Sequence, residues 1–354
     1  MIRVKRSKRE ESARPATLTD VAQLAGVVAM TASRAINGTG YVSEQVSQRV
    51  LKAARQLNYR PNMLARQLKS RRLNTVGVLI PDIANPFSTV LLESVKQVLD
   101  AAGFTVFIAT TNRSIEQEQT GLQAFADHRV DGVIVATRGT KMGDAVLRQI
   151  ARQHIPMVTI GRPVQINGVD SVTADHAQGA YDATKHLLSL GHTRIGFIGI
   201  SPEDSGTLRR YGGYLTAMRE AGINPPMEYT VGPPGAPAFA TQEDGFEGMI
   251  RLASLKRPPS AVFARNDFAA IGAIRAAHTL GLRIPQDIAI AGFDNIPFAA
   301  FTTPPLTTVE QPIAEQGAAA ARFLLDRIQD QSPQPRRIAT MPCTLIVRES
   351  TVCM

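Results

Sequence analysis

Five residues on one short segment, Ala29, Met30, Ser33, Arg34 and Asn37, recur at helical spacing and put two apolar groups, a hydroxyl, a guanidinium and a carboxamide on one side. Ala32, Ala35 and Ile36 fall on the other side. Such a front suits a DNA major groove: arginine donates two bonds to guanine O6 and N7, and Met30 or Ala29 touches a thymine methyl. A surface helix in a small bundle carries the same pattern, so charge must arbitrate. Of 39 Lys and Arg against 30 Asp and Glu, residues 1–74 hold 15 basic and four acidic, net +11, whereas the remaining 280 hold 24 and 26, net −2. A basic head on a neutral body points to a nucleic-acid or membrane-surface partner.

Catalytic chemistry finds little support. No G-x-G-x-x-G follows a strand-like run, and G-x-x-x-x-G-K-[ST], H-E-x-x-H and G-x-S-x-G are absent. His128, His154, His176, His186, His192 and His278 form no pair at metal-ligand spacing, so neither metal nor cofactor is expected. Cys343 and Cys353 are too few for a disulfide framework, which fits a reducing compartment. The N-terminal MIRVKRSKREESARPATL lacks an apolar signal core, and no later stretch approaches the roughly 20 apolar residues of a membrane span. A cytoplasmic protein is expected, nucleoid-associated when DNA-bound.

The elements that must hold these residues are legible. Thr17 to Gly26 reads as a capped helix with Asp20 at its third position and Val21, Leu24 and Ala25 on one face. Met30 to Asn37 makes a second helix stopped by Gly38, and Ser43 caps a third through Tyr59, ended by Pro61. From Thr75 the pattern becomes alternating β and α. VGVLIP (76–81), FTVFIA (104–109), DGVIVA (131–136) and PMVTIG (156–161) form one series; RIGFIGI (194–200), EYTV (228–231), SAVFA (260–264) and IAIAGF (288–293) form a second. Two doubly wound parallel sheets follow, with ligand beyond the carboxyl ends of the strands, in the cleft between halves. Phe87, after Asn85 and Pro86 at the end of the first strand, presents an aromatic face to that cleft or lines it as core.

The order of several segments then carries a resemblance. TLTDVAQLAGVVAMTASRAIN followed by YVSEQVSQRVLKAARQLNYRPNMLARQL, with IANPF, HLLSLGHTRIGFI, RRYGGY, ARNDFAAIGA, GFDN, PPLTTVEQP and VRES downstream, resembles the lactose/galactose repressor family of bacterial transcription regulators nearly end to end. The resemblance implies that Arg34 reads a base and that Ala29 and Met30 choose the operator. Val28 replaces a usual capping Ser, and Val46 a usual phosphate-binding Thr. PNMLARQL (61–68) matches a hinge helix that pushes Leu68 into the minor groove, although Leu64 and Leu68 also suit the buried face of a linker helix. In the body the resemblance assigns effector contacts to Arg210, Asp294 and Asn266. Arg162, after PMVTIG, and Arg265, before Asn266, bring three arginines toward one cleft and favour an anionic sugar derivative.

The expected fold is therefore an all-α helix-turn-helix head plus an α/β, periplasmic-binding-protein-like body of two doubly wound parallel-sheet subdomains. Its parts are a disordered arm (1–14), the DNA-binding domain (15–60), a hinge helix and linker (61–74) and an effector and dimerisation domain (75–354). Within the last, the N-subdomain takes about 75–173 and 311–335, the C-subdomain about 174–310 and 336–354. The DNA-facing set is Thr17, Ala29, Met30, Ser33, Arg34, Asn37, Ser43, Tyr59, Asn62, Ala65 and Leu68; the effector set is Phe87, Arg162, Arg210, Asn266 and Asp294. No heptad repeat follows VRES, so a homodimer on double-stranded operator DNA is expected rather than a tetramer. The function that fits is an effector-controlled transcription regulator, most simply a repressor in carbohydrate metabolism, against a nicotinamide-type α/β enzyme or a solute-binding protein as alternatives. A basic head predicts that operator affinity falls steeply with salt, with a slope reporting roughly 6 to 10 phosphate contacts per dimer. A titration in increasing KCl measures it, and a flat response would show that the head is not the DNA surface.

Overall fold

The computed structural model describes residues 16–59, 73–112, 114–137, 141–201, 204–232, 241–330 and 335–352. The hinge expectation, with Asn62, Ala65 and Leu68, lies outside the described residues, as does the arm. The chain divides into two units, Met1–Leu73 and Asn74–Met354.

In the first unit, helices α1 (Leu18–Ala25), α2 (Ala29–Asn37) and α3 (Glu44–Gln56) enclose a small core of Val21, Ala22, Ala25, Ala32, Val50 and Ala53. Thr17 and Asp20 close a reciprocal capping box, and Gly26 ends α1 in the left-handed region at φ 66°. Leu24 is 51 % exposed instead of packed, because the inward stripe runs through Val21, Ala22 and Ala25 and leaves it a third of a turn away. The third helix stops at Gln56, short of the expected Tyr59. Asn58 takes φ 51° and the Tyr59 amide donates to the Ala54 carbonyl at 2.9 Å, a left-handed closure that asparagine tolerates. Neither Val28 nor Ser43, at the N-cap positions of α2 and α3, accepts a side-chain capping bond.

The second unit contains two six-stranded sheets. The chain builds the first from β1 (Thr75–Ile80), α4 (Pro86–Ala101), β2 (Thr105–Thr110), α5 (Ile115–Asp127), β3 (Gly132–Val135), α6 (Lys141–Ala151), β4 (Met157–Ile160) and β5 (Val169–Ala174). It crosses at Asp175 and builds the second from α7 (His176–Ser189), β6 (Ile195–Ile198), α8 (Ser205–Glu220), β7 (Thr230–Val231), α9 (Gln242–Ala253), β8 (Ala261–Ala264), α10 (Asp267–Thr279), β9 (Ala289–Asp294) and β10 (Thr307–Glu310). It returns at Gln311 and Pro312 into α11 (Ile313–Gln329) and β11 (Ile338–Met341), then crosses a third time at Pro342 into β12 (Thr344–Ile346). The strand orders are β11-β5-β4-β3-β1-β2 and β12-β10-β9-β8-β6-β7. Among the described residues only β10 and β12 pair antiparallel.

The eight runs read from the sequence all contain strands. Four strands escaped that reading: β5, β10, β11 and β12 lack the continuous apolar run of a central strand, and VDSVTA buries a carboxylate and hydroxyls in the sheet. One boundary changes as a result. Residues 338–341 pair with β5 in the first sheet and so leave the C-subdomain, where the sequence reading placed them.

Helices pack against one another through missing side chains. A Cβ on Gly245 of α9 would fall 1.9 Å from the Ala269 carbonyl oxygen, and one on Gly272 of α10 would fall 1.8 Å from that of Gln242. The backbones therefore touch, and neither can yield without moving a helix. Gly272→Ala is expected to cost about 1 to 3 kcal/mol, read as a lower urea midpoint at unchanged m-value; an unchanged midpoint would show that α9 and α10 part freely.

Candidate functional site

Two surfaces carry the residues singled out by sequence. On α2, Ala32 is fully buried while Ala29, Met30 and Arg34 are exposed, so the helix turns its small apolar back inward and its varied front outward. Asn37 donates from Nδ2 to the Ser33 carbonyl at 2.8 Å and to its hydroxyl at 3.2 Å, which ties the lower part of that front together. The Thr17 hydroxyl is engaged in the capping box with Asp20 at 2.7 Å. Ser43 is exposed, and Tyr59 packs half-buried against the helical core.

In the second unit the carboxyl ends of the two sheets bound a cleft. A cavity of about 380 Å³ lies between Pro86, Phe87 and Val90 on one wall and Asp294, Asn295 and Ile296 on the other, with the Gln311–Glu315 crossing alongside. A second, of about 560 Å³, sets Asp82, Asn85 and Asn112 against Thr241, Glu243, Phe268 and Phe298. Phe87 thus sits where the sequence placed it. Among the described residues, no Lys or Arg lines either cavity.

Asp294 is the hub. It ends β9 at φ 114°, a positive-φ conformation costly for any residue with a Cβ and of the kind that accumulates at functional sites. Its Oδ1 accepts from Arg210 Nη2 at 3.3 Å and from Gln311 Nε2 at 2.6 Å. Burial pushes its carboxyl above the ordinary range, an effect that Arg210 and Gln311 oppose. Behind it, Asp267 accepts from the Ile296 amide at 2.8 Å and the Thr308 hydroxyl at 2.5 Å, and burial raises it well above the carboxylate range.

Arg210, on α8, stacks over the Phe293 ring at 4.0 Å, donates to the Arg265 carbonyl and reaches His176 Nδ1 at 3.4 Å. His176 begins α7 directly after the first crossing and is 4 % exposed. Burial, reinforced by Arg210, holds its imidazole well below the ordinary value, so it meets the guanidinium as a neutral acceptor. Its chemistry was invisible in sequence, where it is one more isolated histidine. Gln311 lay unassigned within a quoted motif.

The three-arginine expectation requires correction. Arg162 is 1 % exposed and bonded to Glu118 at 2.9 Å, Asp144 at 3.0 Å and the Thr137 hydroxyl at 2.7 Å, all within the first-sheet subdomain. Arg265 pairs with Asp204 at 2.9 Å and Arg210 with Asp294. A guanidinium taken out of water needs its counter-charge at hand, and each of these has one. Asn266 accepts the Ala269 amide at 3.0 Å as the N-cap of α10, which commits its Oδ1.

Comparison with known proteins follows this division. Residues 17–62 match the model of bacterial regulatory proteins of the lacI family, and residues 184–351 match a periplasmic binding protein-like domain. The HTH-type transcriptional regulator DegA of Bacillus subtilis (strain 168) is 36 % identical over 340 residues, covering 95 % of this chain and 98 % of that one. The lac repressor dimer bound to operator and the anti-inducer ONPF superposes with a TM-score of 0.84 at 26 % identity, over 96 % of this chain and 100 % of that one. A complex of the transcriptional regulator CelR with cellobiose gives 0.70 at 30 % identity, over 95 % and 100 %.

The buried histidine sets a pH dependence. Because its folded pKa is depressed below the ordinary 6.5, the unfolded chain binds a proton more readily, and stability present above that value is lost as pH falls toward the folded pKa. The melting temperature is expected to drop between about pH 7 and pH 5, and His176→Asn, which keeps an acceptor but cannot titrate, should flatten that drop. Parallel curves for the two proteins would place the acid sensitivity elsewhere.

Proposed function

The chain belongs to the lacI family of bacterial regulatory proteins, and on that footing we propose that it represses transcription as a homodimer on a near-palindromic operator, governed by a neutral polyhydroxylated effector in the cleft of its second unit. At the level of the family it is a DNA-binding transcriptional repressor under small-molecule control. Its relatives are transcriptional regulators, and no helix among the described residues is long and apolar enough to cross a membrane.

The DNA reading is supported by α2, whose exposed Ala29, Met30 and Arg34 stand over a buried alanine in the basic unit. One recognition helix reads only a few base pairs, so two-fold pairing is needed to lengthen the site. Exposed apolar groups on β2 (Phe107, Ile108) and after β9 (Phe298, Phe301) support association with a second copy.

The observation that carries the choice of effector is the neutralisation of Arg162, Arg210 and Arg265 by carboxylates. An anion was favoured only while those charges stood unpaired. With them paired, Asp294 accepts a hydroxyl from the cavity it lines, Arg210 orients that carboxylate from behind, and Phe87 supplies an apolar face for a sugar ring. Closure of the walls on the effector couples to the DNA-binding unit with a typical free energy of about 1 to 3 kcal/mol.

Selection from random DNA is expected to return an inverted repeat, and Arg34→Ala to weaken its binding by about 1 to 3 kcal/mol per half-site contact while sparing the cleft. Asp294→Ala is expected to abolish the effector response and leave operator affinity unchanged. Calorimetry with an aldose and its aldonic acid decides the charge question: preference for the acid overturns the neutral effector, and a pool without dyad symmetry overturns the dimeric operator.

A further inference from the structure

The two cavities of the cleft adjoin along both walls. On one side Asn85 lines the larger and Pro86 the smaller; on the other, Phe298 lines the larger and Pro297 the smaller. Consecutive Cα atoms stand about 3.8 Å apart, so each wall passes from one cavity to the next within a single residue. At about 380 and 560 Å³, both fall in the range of about 300 to 1,000 Å³ that holds a small ligand. One sugar ring against Phe87 and Asp294 therefore leaves the larger cavity unfilled.

The larger cavity has the lining of a second ring site. Phe268 and Phe298 both border it. Phe268 is the second residue of α10, a helix whose Ala269, Ala270 and Ala273 fill a core, yet its own ring is part of no apolar core of the second unit among the described residues. Phe298, on the turn Pro297–Phe301, is 55 % exposed and is likewise outside those cores. Two aromatic rings left out of the packing and set at a cavity wall are available to a ligand. Polar groups stand beside them. Asn85 commits its Oδ1 to the Phe87 amide at 3.0 Å and keeps its Nδ2 hydrogens to donate, while the exposed Glu243 carboxylate, in the first turn of α9, accepts. Aromatic faces with a donor and an acceptor at their edge match a sugar ring, which is apolar on its C–H faces and polar around its rim. The same carboxylate repels a phosphate or acid group.

We propose that the cleft takes a two-ring ligand, a neutral disaccharide, with one ring against Phe87 and Asp294 and the second between Asn85 on one wall and Phe268 and Phe298 on the other. The inference rests on the neutral-polyol reading of the cleft and adds the size of the effector and the residues that select it. Asn85 belongs to the first-sheet subdomain and Phe268 to the second, so the second ring bridges the two.

Calorimetry on the full chain compares cellobiose and maltose with D-glucose, and lactose with D-galactose, in wild type, Phe298→Ala and Phe298→Tyr. The pair that wild type binds is expected to favour the disaccharide by about tenfold or more. Phe298→Ala is expected to lower that ratio by about tenfold, and Phe298→Tyr, which keeps the flat ring, to retain it. The ratio compares two ligands on one protein, so a change in folding or in association with a second copy cancels from it. A hexose bound as tightly as its disaccharide overturns the proposal and leaves the neutral-polyol reading standing, and so does a ratio that Phe298→Ala leaves unchanged. If no sugar of the panel binds wild type, the neutral-polyol reading itself fails, a distinct result obtained before any variant is made.

Discussion

A guanidinium removed from water must find its counter-charge within hydrogen-bond reach, and this constraint shapes the second unit more than any other. Arg162 holds Glu118 and Asp144, Arg210 holds Asp294, Arg265 holds Asp204, and Arg327 with Arg337 converge on the fully buried Asp170. Two arginines on one carboxylate, with hydrogen bonds that hold its pKa below the ordinary value against the effect of burial, pin β5, α11 and the entry to β11 together. Breaking such a buried pair by removing one partner costs about 3 to 5 kcal/mol, because the other charge is left stranded. The pairs fix positions at the edge of each sheet, and they leave the cleft without a surplus of positive charge among the described residues.

The same constraint connects charge to motion. Asp294 holds Arg210 from α8 and Gln311 from the second crossing, so a carboxylate that lines the cleft also touches the segment that runs back into the other sheet. The three crossings at Asp175, Gln311–Pro312 and Pro342 are the covalent ties between the sheets, while the cavities lie between their carboxyl edges. On the proposed function, an effector that replaced one of the bonds to Asp294 would act directly on such a tie. Any such switch requires a ligand with differential affinity for two arrangements, because tight binding alone shifts no equilibrium. The glycine contacts between α9 and α10 and between α7 and α8 bring the backbones of each helix pair together, close packing that resists sliding within a pair.

Much of this was legible in the amino-acid sequence, because local rules sufficed. Thr17, Asp20 and Gly26 declare both ends of α1 through capping chemistry, and Gly38 does the same for the end of α2. Runs such as VGVLIP and PMVTIG declare central parallel strands because both faces are covered and every residue can be apolar. The net charge of the first 74 residues separates a nucleic-acid head from the body without reference to any coordinate. Periodicity placed Arg34 on the outer face of α2 and Ala32 on the inner one, as the burial of each now bears out.

What the sequence could not decide is which distant groups meet. Arg162 and Glu118 are 44 residues apart, Arg265 and Asp204 61, and no spacing rule relates them, so the arginines looked unpaired and an anion looked welcome. The strands β5 and β10 and the edge strands β11 and β12 are polar or short, and only pairing identifies them; β11 joins a sheet whose other strands lie more than 160 residues earlier. The neutrality of His176 arises from burial by elements remote in the chain. Local hydrogen bonding and hydrophobic period fix the elements, because they act within a few residues; the charge and polarity of the cleft are set by contacts between segments that only the folded chain brings together.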